Sequence, residues 1–455
     1  MQLRSINPST GEQIGEYPEL HFEEINDRIK KSSDAFQHWK KTSIHQRTSL
    51  IVKLSKLLVQ NCEPLAQLIT LEMGKTIREA RAEINKCVSA CDYYANNTET
   101  IIRPEKIETE ASLSYISYQP LGPILAIMPW NFPFWQVFRC AIPTLAIGNT
   151  VLLKHASNVS GCALAIENLF IEAGFPECVF QSLLINNKKV EVIIANKRVK
   201  GISLTGSTDV GREVAQQAGR HIKKTVLELG GSDPYIILED ADLEKTVELC
   251  INSRLINAGQ SCIGAKRFIA VEKIYDQFLE LFVEQMRSIK MGNPLDENTR
   301  IGPMARMNLR DDLQMQVIRS IDKGAIVHTG GILPEVEGYF YPPTVLSHVQ
   351  PGMPAWHEEL FGPVAAIIKV KDVHEAIAVA NDTPYGLGAA IFSANTTLAQ
   401  KIAEEEIEAG CCFINEMVRS DPRLPFGGIN ESGYGRELWK AGLLEFCNMK
   451  TIWIR

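Results

Sequence analysis

The apolar positions of the first hundred residues recur at helical spacing. Two sets each fall on one face of a helix: Phe22, Ile25, Ile29 and Phe36, and then Leu50, Leu54, Leu57 and Leu58. An apolar stripe of this period is the pattern of an amphipathic helix that packs on a core. The pattern therefore predicts a mainly helical N-terminal region.

From residue 124 onward, short apolar runs alternate with longer amphipathic stretches. The runs, which we predict as strands, are 124–128, 151–153, 179–184, 201–205 and 225–229. The stretches that we predict as helices are about 135–147, 160–173, 188–196 and 208–219. Five strands joined by four helical crossovers describe a parallel sheet covered by helices. Because such crossovers are right-handed, the pattern favours α/β architecture with a doubly wound, Rossmann-like domain.

The alternation resumes after Gly230 and Gly231 and predicts a second α/β domain. Its strands are expected at 268–271, 325–329, 364–370, 389–393 and 411–414, with helices near 275–289 and 373–381. Two strand-like segments, 102–119 and 446–455, fall outside both domains. We expect these two segments to form a small sheet or an assembly arm.

Composition narrows the class of protein. The apolar content of 45% and charged content of 22% are those of a globular protein, and the net charge of −7 argues against a nucleic-acid surface. The uncharged stretch 120–138 contains four prolines, which disfavours a membrane helix. Eleven cysteines without framework spacing indicate reduced thiols and a cytoplasmic location. The sequence contains no cluster of His and Cys residues that would predict a metal site.

A glycine-containing turn is the first candidate for chemistry. Gly206-Ser-Thr-Asp-Val-Gly211 follows a predicted strand and opens a predicted helix, where free N–H groups favour a pyrophosphate. The dinucleotide fingerprint has glycine at its third position, which here is Thr208. A purely structural turn therefore remains an alternative.

Three further residues stand in settings suited to catalysis. Cys262 has small neighbours, Asn131 lies between two prolines, and Glu228 ends a predicted strand before two glycines. They suit a nucleophile, an oxyanion donor and a general base respectively. The alternatives are a buried inert thiol, a turn asparagine, and a capping or ribose-binding carboxylate.

Taken together, these residues resemble the aldehyde dehydrogenase family. The segments that carry the resemblance span the chain: Pro129-Trp-Asn-Phe-Pro133, Lys154, Thr205-Gly-Ser-Thr208 with Gly211, Glu228-Leu-Gly-Gly231, Gly259-Gln-Ser-Cys262, Glu359-Leu-Phe-Gly-Pro363, and Pro425-Phe-Gly-Gly428 with Ser432-Gly433 and Gly435-Arg436. Seven motifs in the family's order are very specific.

The resemblance implies roles for the matching positions. Cys262 would be the nucleophile, Asn131 and the Cys262 N–H the oxyanion hole, and Glu228 the general base. The implied reaction oxidises an aldehyde to an acid with NAD or NADP, through a thiohemiacetal and a thioester on Cys262. The matching positions that would bind the cofactor are Trp130, Lys154, Gly206, Ser207, Gly211, Glu359 and Phe361.

The resemblance also implies an organisation. Residues 1–101 and 121–228 would form the NAD(P)-binding domain, 229–428 the catalytic domain, and 102–120 with 441–455 an oligomerisation arm. Family members commonly assemble as homodimers or homotetramers, and we expect one of these states.

One departure from the family pattern bears on the cofactor. The family's Lys-Pro-Ser-Glu segment reads Lys154-His-Ala-Ser157 here. The glutamate that repels a 2′-phosphate is replaced by Ser157, so we expect NADP to be accepted, alone or beside NAD. His155 is expected at the surface, with a phosphate contact as the alternative.

Finer details are similar to the bacterial succinate semialdehyde branch of the family: Trp130-Asn-Phe-Pro-Phe-Trp-Gln136 with Arg139, Leu153-Lys-His155, Leu229-Gly-Gly-Ser-Asp-Pro234, Gly302-Pro-Met-Ala-Arg306 and Glu445-Phe-Cys-Asn448. Such a substrate has an anionic tail, so the pocket should hold a cation. Arg139 is the first candidate, and Arg419 and Arg423 are the next. Another aldehyde, or an inert binding or structural member of the family, remains the alternative.

Overall fold

The computed structural model describes residues 2–455. The N-terminal region begins with a β-hairpin and continues as four helices: β1 Gln2–Ile6, β2 Gln13–Pro18, α1 Phe22–Trp39, α2 Ile44–Gln60, α3 Cys62–Met73 and α4 Ile77–Ile101. The predicted helical region is confirmed from residue 22 onward, but the hairpin was missed. Phe22 is also 51% exposed, because only Ile25, Ile29 and Phe36 of its set face the core.

Two short strands and then the first α/β unit follow: β3 Glu105–Lys106, β4 Leu113–Pro120, β5 Pro123–Met128, α5 Trp135–Ile147, β6 Thr150–His155, α6 Ser160–Glu172, β7 Phe180–Ser182, α7 Val190–Ala195, β8 Gly201–Thr205, α8 Thr208–Arg220 and β9 Lys224–Glu228. The predicted alternation of five strands and four helices is confirmed. The predicted and observed ends of the strands differ most at β7, where only three of the predicted residues pair with β6.

The second unit contains seven strands: β10 Pro234–Ile237, α9 Leu243–Leu255, β11 Arg267–Val271, α10 Glu272–Ser288, α11 Met307–Asp322, β12 Ile326–Thr329, β13 Thr344–Ser347, α12 Pro354–His357, β14 Val364–Val370, α13 Val373–Asn381, β15 Gly388–Phe392, α14 Thr396–Glu405 and β16 Cys411–Ile414. They lie in the order β12-β13-β14-β11-β10-β15-β16, and only β12 is antiparallel to its neighbour. Strands β10 and β13 were not predicted from the sequence.

The chain ends with β17 Gly433–Tyr434, α15 Trp439–Leu444 and β18 Cys447–Ile454. Strand β18 pairs antiparallel with β4 over eight residues, and β3 pairs with the other side of β4. This three-stranded sheet confirms that the two unplaced segments associate with each other.

The first sheet has the order β17-β9-β8-β5-β6-β7, and only β17 is antiparallel. Strand β5 lies between β6 and β8, so the chain moves outward from β5 in both directions. In such a doubly wound sheet the crevice for a ligand forms beyond the carboxyl ends of the strands, at this switch point.

No helix in the described residues, 2–455, combines the length and apolar character needed to cross a membrane.

Candidate active site

Buried hydrogen bonds hold the loop that carries Cys262 in place. Asn257, just before it, has a left-handed backbone (φ 55°), which asparagine tolerates better than most residues. From α9, the Arg254 guanidinium donates to the carbonyls of Gly259, at 2.5 Å, and Ala265, at 2.7 Å. Because these bonds span both sides of Cys262, they fix the path of the loop.

Asn131 is fixed beside the same loop. Its side-chain nitrogen donates to the Gln260 carbonyl at 3.1 Å, and its own carbonyl accepts from the Asn257 amide at 2.7 Å. The Asn131 side chain is almost fully buried. Because an amide NH₂ has two hydrogens, one donor remains for a substrate oxygen.

Two carboxylates of α4 hold these segments in place, and sequence analysis missed both. Glu79 accepts the Asn257 N–H at 2.7 Å. Glu83, one turn later, accepts the N–H groups of Phe134 and Trp135 at 2.8 and 3.0 Å, where α5 begins. Acidic residues four apart on a helix usually mark a solvated face, so the local sequence gave no sign of this role.

Glu228 ends β9 as a buried carboxyl group without hydrogen-bond partners on either oxygen. Burial raises its pKa well above the usual range, although the positive charges of Arg139 and Arg436 oppose the shift. A Cβ on Gly427 would lie 2.7 Å from a Glu228 oxygen, so only glycine leaves the carboxyl group this space. Glu228 is therefore free to bind a water molecule and to exchange a proton with it.

The Cys262 thiol is half-buried, and the charge of Lys266 affects its pKa. Burial raises the pKa of Cys262 to about 11, while the charges of Arg139 and Lys266 act to lower it. The Lys266 ammonium donates to the carbonyls of Ser261, at 2.8 Å, and Cys262, at 2.5 Å. Lys266 thus holds the nucleophile's backbone and contributes a positive charge beside it.

A cavity of about 150 Å³ opens onto Cys262. Side chains from α4, α5, the Cys262 loop and the segment after β16 line it, among them Lys86, Phe132, Trp135, Gln136, Arg139, Ser261, Met417, Arg419, Ser420 and Phe426. Its wall is mostly apolar and aromatic, with cations at three positions. This is the composition of a small-molecule site with a few orienting charges.

The three predicted arginines have different positions. Arg139 lines the cavity, but it is buried in an ion pair with Glu437 and donates to the Thr205 hydroxyl at 3.2 Å. Arg419 lines the cavity from an exposed position. Arg423 does not line it: its side chain is 77% exposed and pairs with Asp421 at 2.6 Å. Arg423 thus lies away from the cavity, because a carboxylate two residues away pairs with its guanidinium.

The Gly206 turn lies at the carboxyl end of β8, with Ser207 as the N-cap of α8. The Ser207 side chain makes no capping bond, so helix N–H groups are left for a ligand. A Cβ on Gly211 would lie 2.5 Å from the Leu229 side chain, which shows that glycine allows α8 to pack closely on the sheet. The hydroxyl of Thr208 donates to the Glu431 carbonyl at 3.2 Å.

Lys154 and Ser157 lie where β6 ends. The Lys154 ammonium donates to the Asn187 side chain at 2.6 Å, and burial lowers its pKa to about 8. Ser157 is exposed at the start of a 3₁₀ turn. Both residues lie at the carboxyl end of β6, which pairs with β5 at the switch point.

His155 corrects an expectation, because it is neither at the surface nor free for a phosphate. It is buried, and its ring nitrogens lie 3.1 Å from the Met128 carbonyl and 2.9 Å from the Pro133 carbonyl. Burial lowers its pKa to about 4. His155 therefore fixes the two ends of the segment that contains Asn131.

Glu359, Phe361 and Trp130 lie next to the nucleophile loop. Glu359 accepts the Gly231 N–H at 3.1 Å and forms an ion pair with Lys266 at 3.5 Å. The rings of Trp130 and Phe361 meet edge to face, with centroids 5.9 Å apart. Lys266 therefore connects the Glu359 carboxylate directly to the carbonyl of Cys262.

Known proteins resemble the whole of this chain. The sequence profile of the aldehyde dehydrogenase family matches residues 1–452. A probable succinate-semialdehyde dehydrogenase [NADP(+)] of Synechocystis sp. is 46% identical, with 100% of both chains covered. The succinate semialdehyde dehydrogenase [NAD(P)+] of Escherichia coli is 45% identical, covering 99% of this chain and 97% of the other.

Solved structures agree with this likeness. The succinic semialdehyde dehydrogenase of Streptococcus pyogenes, crystallised with NADP+, superposes with a TM-score of 0.97 at 38% identity, and 99% of each chain is covered. The resemblance noted in the sequence is thus confirmed over the full length, for both fold and family. The chain belongs to the aldehyde dehydrogenase family.

Proposed function

We propose that this protein oxidises succinate semialdehyde to succinate with NADP+ or NAD+. The observation that carries the proposal is the cavity in which Cys262 lies, with the Asn131 amide beside its loop and cations on its wall. The thiol suits attack on an aldehyde carbonyl, and the cations suit a substrate that is also an anion. The relatives at 45–46% identity carry the same substrate in their names.

The residues at the switch point fit a dinucleotide. Ser207 and the free N–H groups of α8 would hold the pyrophosphate, and Lys154 would bind the adenosine ribose. Ser157, exposed and uncharged, would accept a 2′-phosphate, so NADP is included. Glu359 would hold the nicotinamide ribose, with Phe361 beside it and Trp130 lining the cleft.

The first half of the reaction centres on Cys262. Its thiolate adds to the aldehyde carbonyl, and the resulting thiohemiacetal oxyanion accepts hydrogen bonds from the Asn131 side chain and the Cys262 N–H. Asn131 needs no reorganisation for this, because its amide is already fixed to Gln260. A bound nicotinamide supplies hydride acceptance, which converts the thiohemiacetal into a thioester.

The second half is hydrolysis of that thioester. Glu228 takes a proton from a water molecule as the water attacks, and the Cys262 thiolate leaves. The raised pKa of Glu228 makes the carboxyl group a stronger base once it is ionised.

The direct test follows the formation of NADPH or NADH by absorbance. Purified protein receives succinate semialdehyde or hexanal, each with NADP+ or NAD+, beside a Cys262→Ala variant. We expect strong turnover of the semialdehyde and none in the variant. Better turnover of hexanal would contradict the substrate, whereas turnover that survives Cys262→Ala would contradict the chemistry.

The organisation of the chain follows the same proposal. Residues 1–101 and 121–228 bind the dinucleotide, 229–428 supply the nucleophile, and 102–120 with 441–455 join copies of the chain into a dimer or tetramer. The arm's sheet exposes large apolar side chains: Leu113, Met449, Trp453 and Ile454. All eleven cysteines are free thiols, which supports a cytoplasmic location.

A further inference from the structure

Lys86 is a cavity-lining cation that sequence analysis did not single out. It lies on α4, and its ammonium donates to the Ser420 hydroxyl at 2.7 Å. The same ammonium lies 4.4 Å from the centroid of the Trp135 ring. Among residues 2–455, no carboxylate oxygen lies within 4.0 Å of it, so its charge has no direct counter-ion.

The other cations near the cavity are already neutralised or exposed. Arg139 is paired with Glu437, and Lys75, close to Lys86 in the chain, is paired with Glu83. Arg419 is exposed to solvent. A half-buried charge without a counter-ion costs free energy, and a bound anion would remove that cost.

The charged groups around Lys86 also favour a bound anion. Burial lowers its pKa to about 8, and the positive charge of Arg139 acts in the same direction. Three acidic groups oppose the shift, Cys87, Glu83 and Asp421. At neutral pH the ammonium is therefore still charged, and it is held in a setting that favours an anion.

We propose that the Lys86 ammonium and the Ser420 hydroxyl bind the carboxylate at the far end of the substrate and so select anionic aldehydes. The Ser420 oxygen accepts from Lys86, which leaves its own hydrogen free to donate to the carboxylate. Trp135 forms an apolar wall beside this charge, where charge-assisted bonds are stronger than in water. Arg139 stands on the same cavity wall, paired with Glu437. This inference deepens the proposed function and rests on it.

The test compares Lys86→Met with wild type on succinate semialdehyde and on butanal, which has the same number of carbons but no carboxylate. Loss of a charged hydrogen bond should reduce the preference, taken as the ratio of the two kcat/KM values, by about 10- to 100-fold. The loss should lie mainly in a higher KM for the semialdehyde. Lys86→Arg should keep much of the preference, and Ser420→Ala should reduce it less than Lys86→Met.

Arg78→Met is the matched control, because Arg78 is an exposed cation on the same helix that does not line the cavity. We expect it to preserve the wild-type preference. A Lys86→Met enzyme with the wild-type preference would overturn the inference. If that variant fails to fold, an unchanged preference in Ser420→Ala would overturn it. A wild-type enzyme without preference for the semialdehyde over butanal would instead contradict the proposed function.

A second readout needs no substitution. Because the carboxylate binds to a charged ammonium, the KM of the wild type for the semialdehyde should rise as pH increases above about 8, the pKa of Lys86. The KM for butanal should show no such rise. A semialdehyde KM that stays flat across this range in the wild type would contradict a role for Lys86.

Discussion

At the scale of single residues, burial raises the pKa values of both Cys262 and Glu228 in a site that contains several cations. The shifts oppose ionisation of the thiol and of the carboxyl group, even though Arg139 acts on both in the other direction. Burial thus makes the thiol and the carboxyl group harder to ionise in the cofactor-free protein than they are in water. Measuring how reactivity changes with pH as Cys262 and Glu228 ionise therefore tests the site directly.

We expect alkylation of Cys262 by iodoacetamide to accelerate with pH over a wide range in the cofactor-free protein. Only the thiolate reacts, and with a pKa of about 11 its fraction rises about tenfold per pH unit from neutral pH upward. Mass spectrometry of the Cys262 peptide measures the rate. A rate that reaches its plateau near neutral pH would show that the site lowers the thiol pKa instead.

Glu228→Gln should separate the two halves of the reaction. Gln cannot accept a proton from water, so we expect a burst of about one NADPH per site, followed by turnover reduced by about 10²- to 10⁴-fold. In the wild type, the hydrolysis rate should increase with pH as Glu228 ionises, because its pKa is raised. Stopped-flow absorbance records both phases. Full turnover in Glu228→Gln would exclude it as the base.

A short motif is enough to select a single residue from the sequence, but it does not show which distant partner the side chain meets. Cys262, Asn131 and Glu228 were selected from sequence, and the structure places Cys262 and Asn131 at one loop. Arg423 was also selected, but its guanidinium forms an ion pair with Asp421. Lys86 was missed, because no local signal distinguishes it from any lysine on a helix.

At the scale of elements, the cofactor crevice depends on how closely α8 approaches the sheet. Gly211 is the contact point, since its Cα faces the Leu229 side chain with no room for a methyl group. This contact positions the N-terminus of α8, including Ser207 and the free N–H groups of the first turn. Packing between α8 and the residue that follows β9 thus sets the position of the predicted pyrophosphate site.

Gly211→Ala should displace α8 and weaken cofactor binding. A methyl group 2.5 Å from Leu229 is overpacked, which costs about 1–3 kcal/mol. We expect a lower Tm and a higher KM for NADP+. Gly219→Ala on the same helix is the control: a Cβ there meets nothing within 4 Å, so the variant should be as stable as the wild type or more so. Equal effects of both variants would contradict the packing argument.

At the scale of the whole molecule, the three-stranded sheet of β3, β4 and β18 exposes several large apolar side chains. It joins residues near 105–120 to the end of the chain and leaves Trp453 47% and Met449 67% exposed. Exposed aromatic and apolar side chains on a sheet are typical of surfaces that another chain covers.

Trp453→Glu should therefore shift the protein to a smaller assembly. A charge at a covered apolar position is costly, so we expect a lower mass by light scattering after size-exclusion chromatography. Ile222→Glu is the control, because Ile222 is 95% exposed and lies outside the arm. An unchanged mass in Trp453→Glu would argue against the arm as the interface.

The sequence by itself determined the α/β alternation, the doubly wound unit, the glycine turn before α8 and the family, because these features follow from local backbone periodicity and short motifs. The tertiary structure alone decided which charges remain free. Arg139 meets Glu437 and His155 meets two carbonyls across the fold, whereas Lys86 reaches the cavity without a counter-ion. Charge compensation depends on which distant segments pack together, and no local pattern of residues records that.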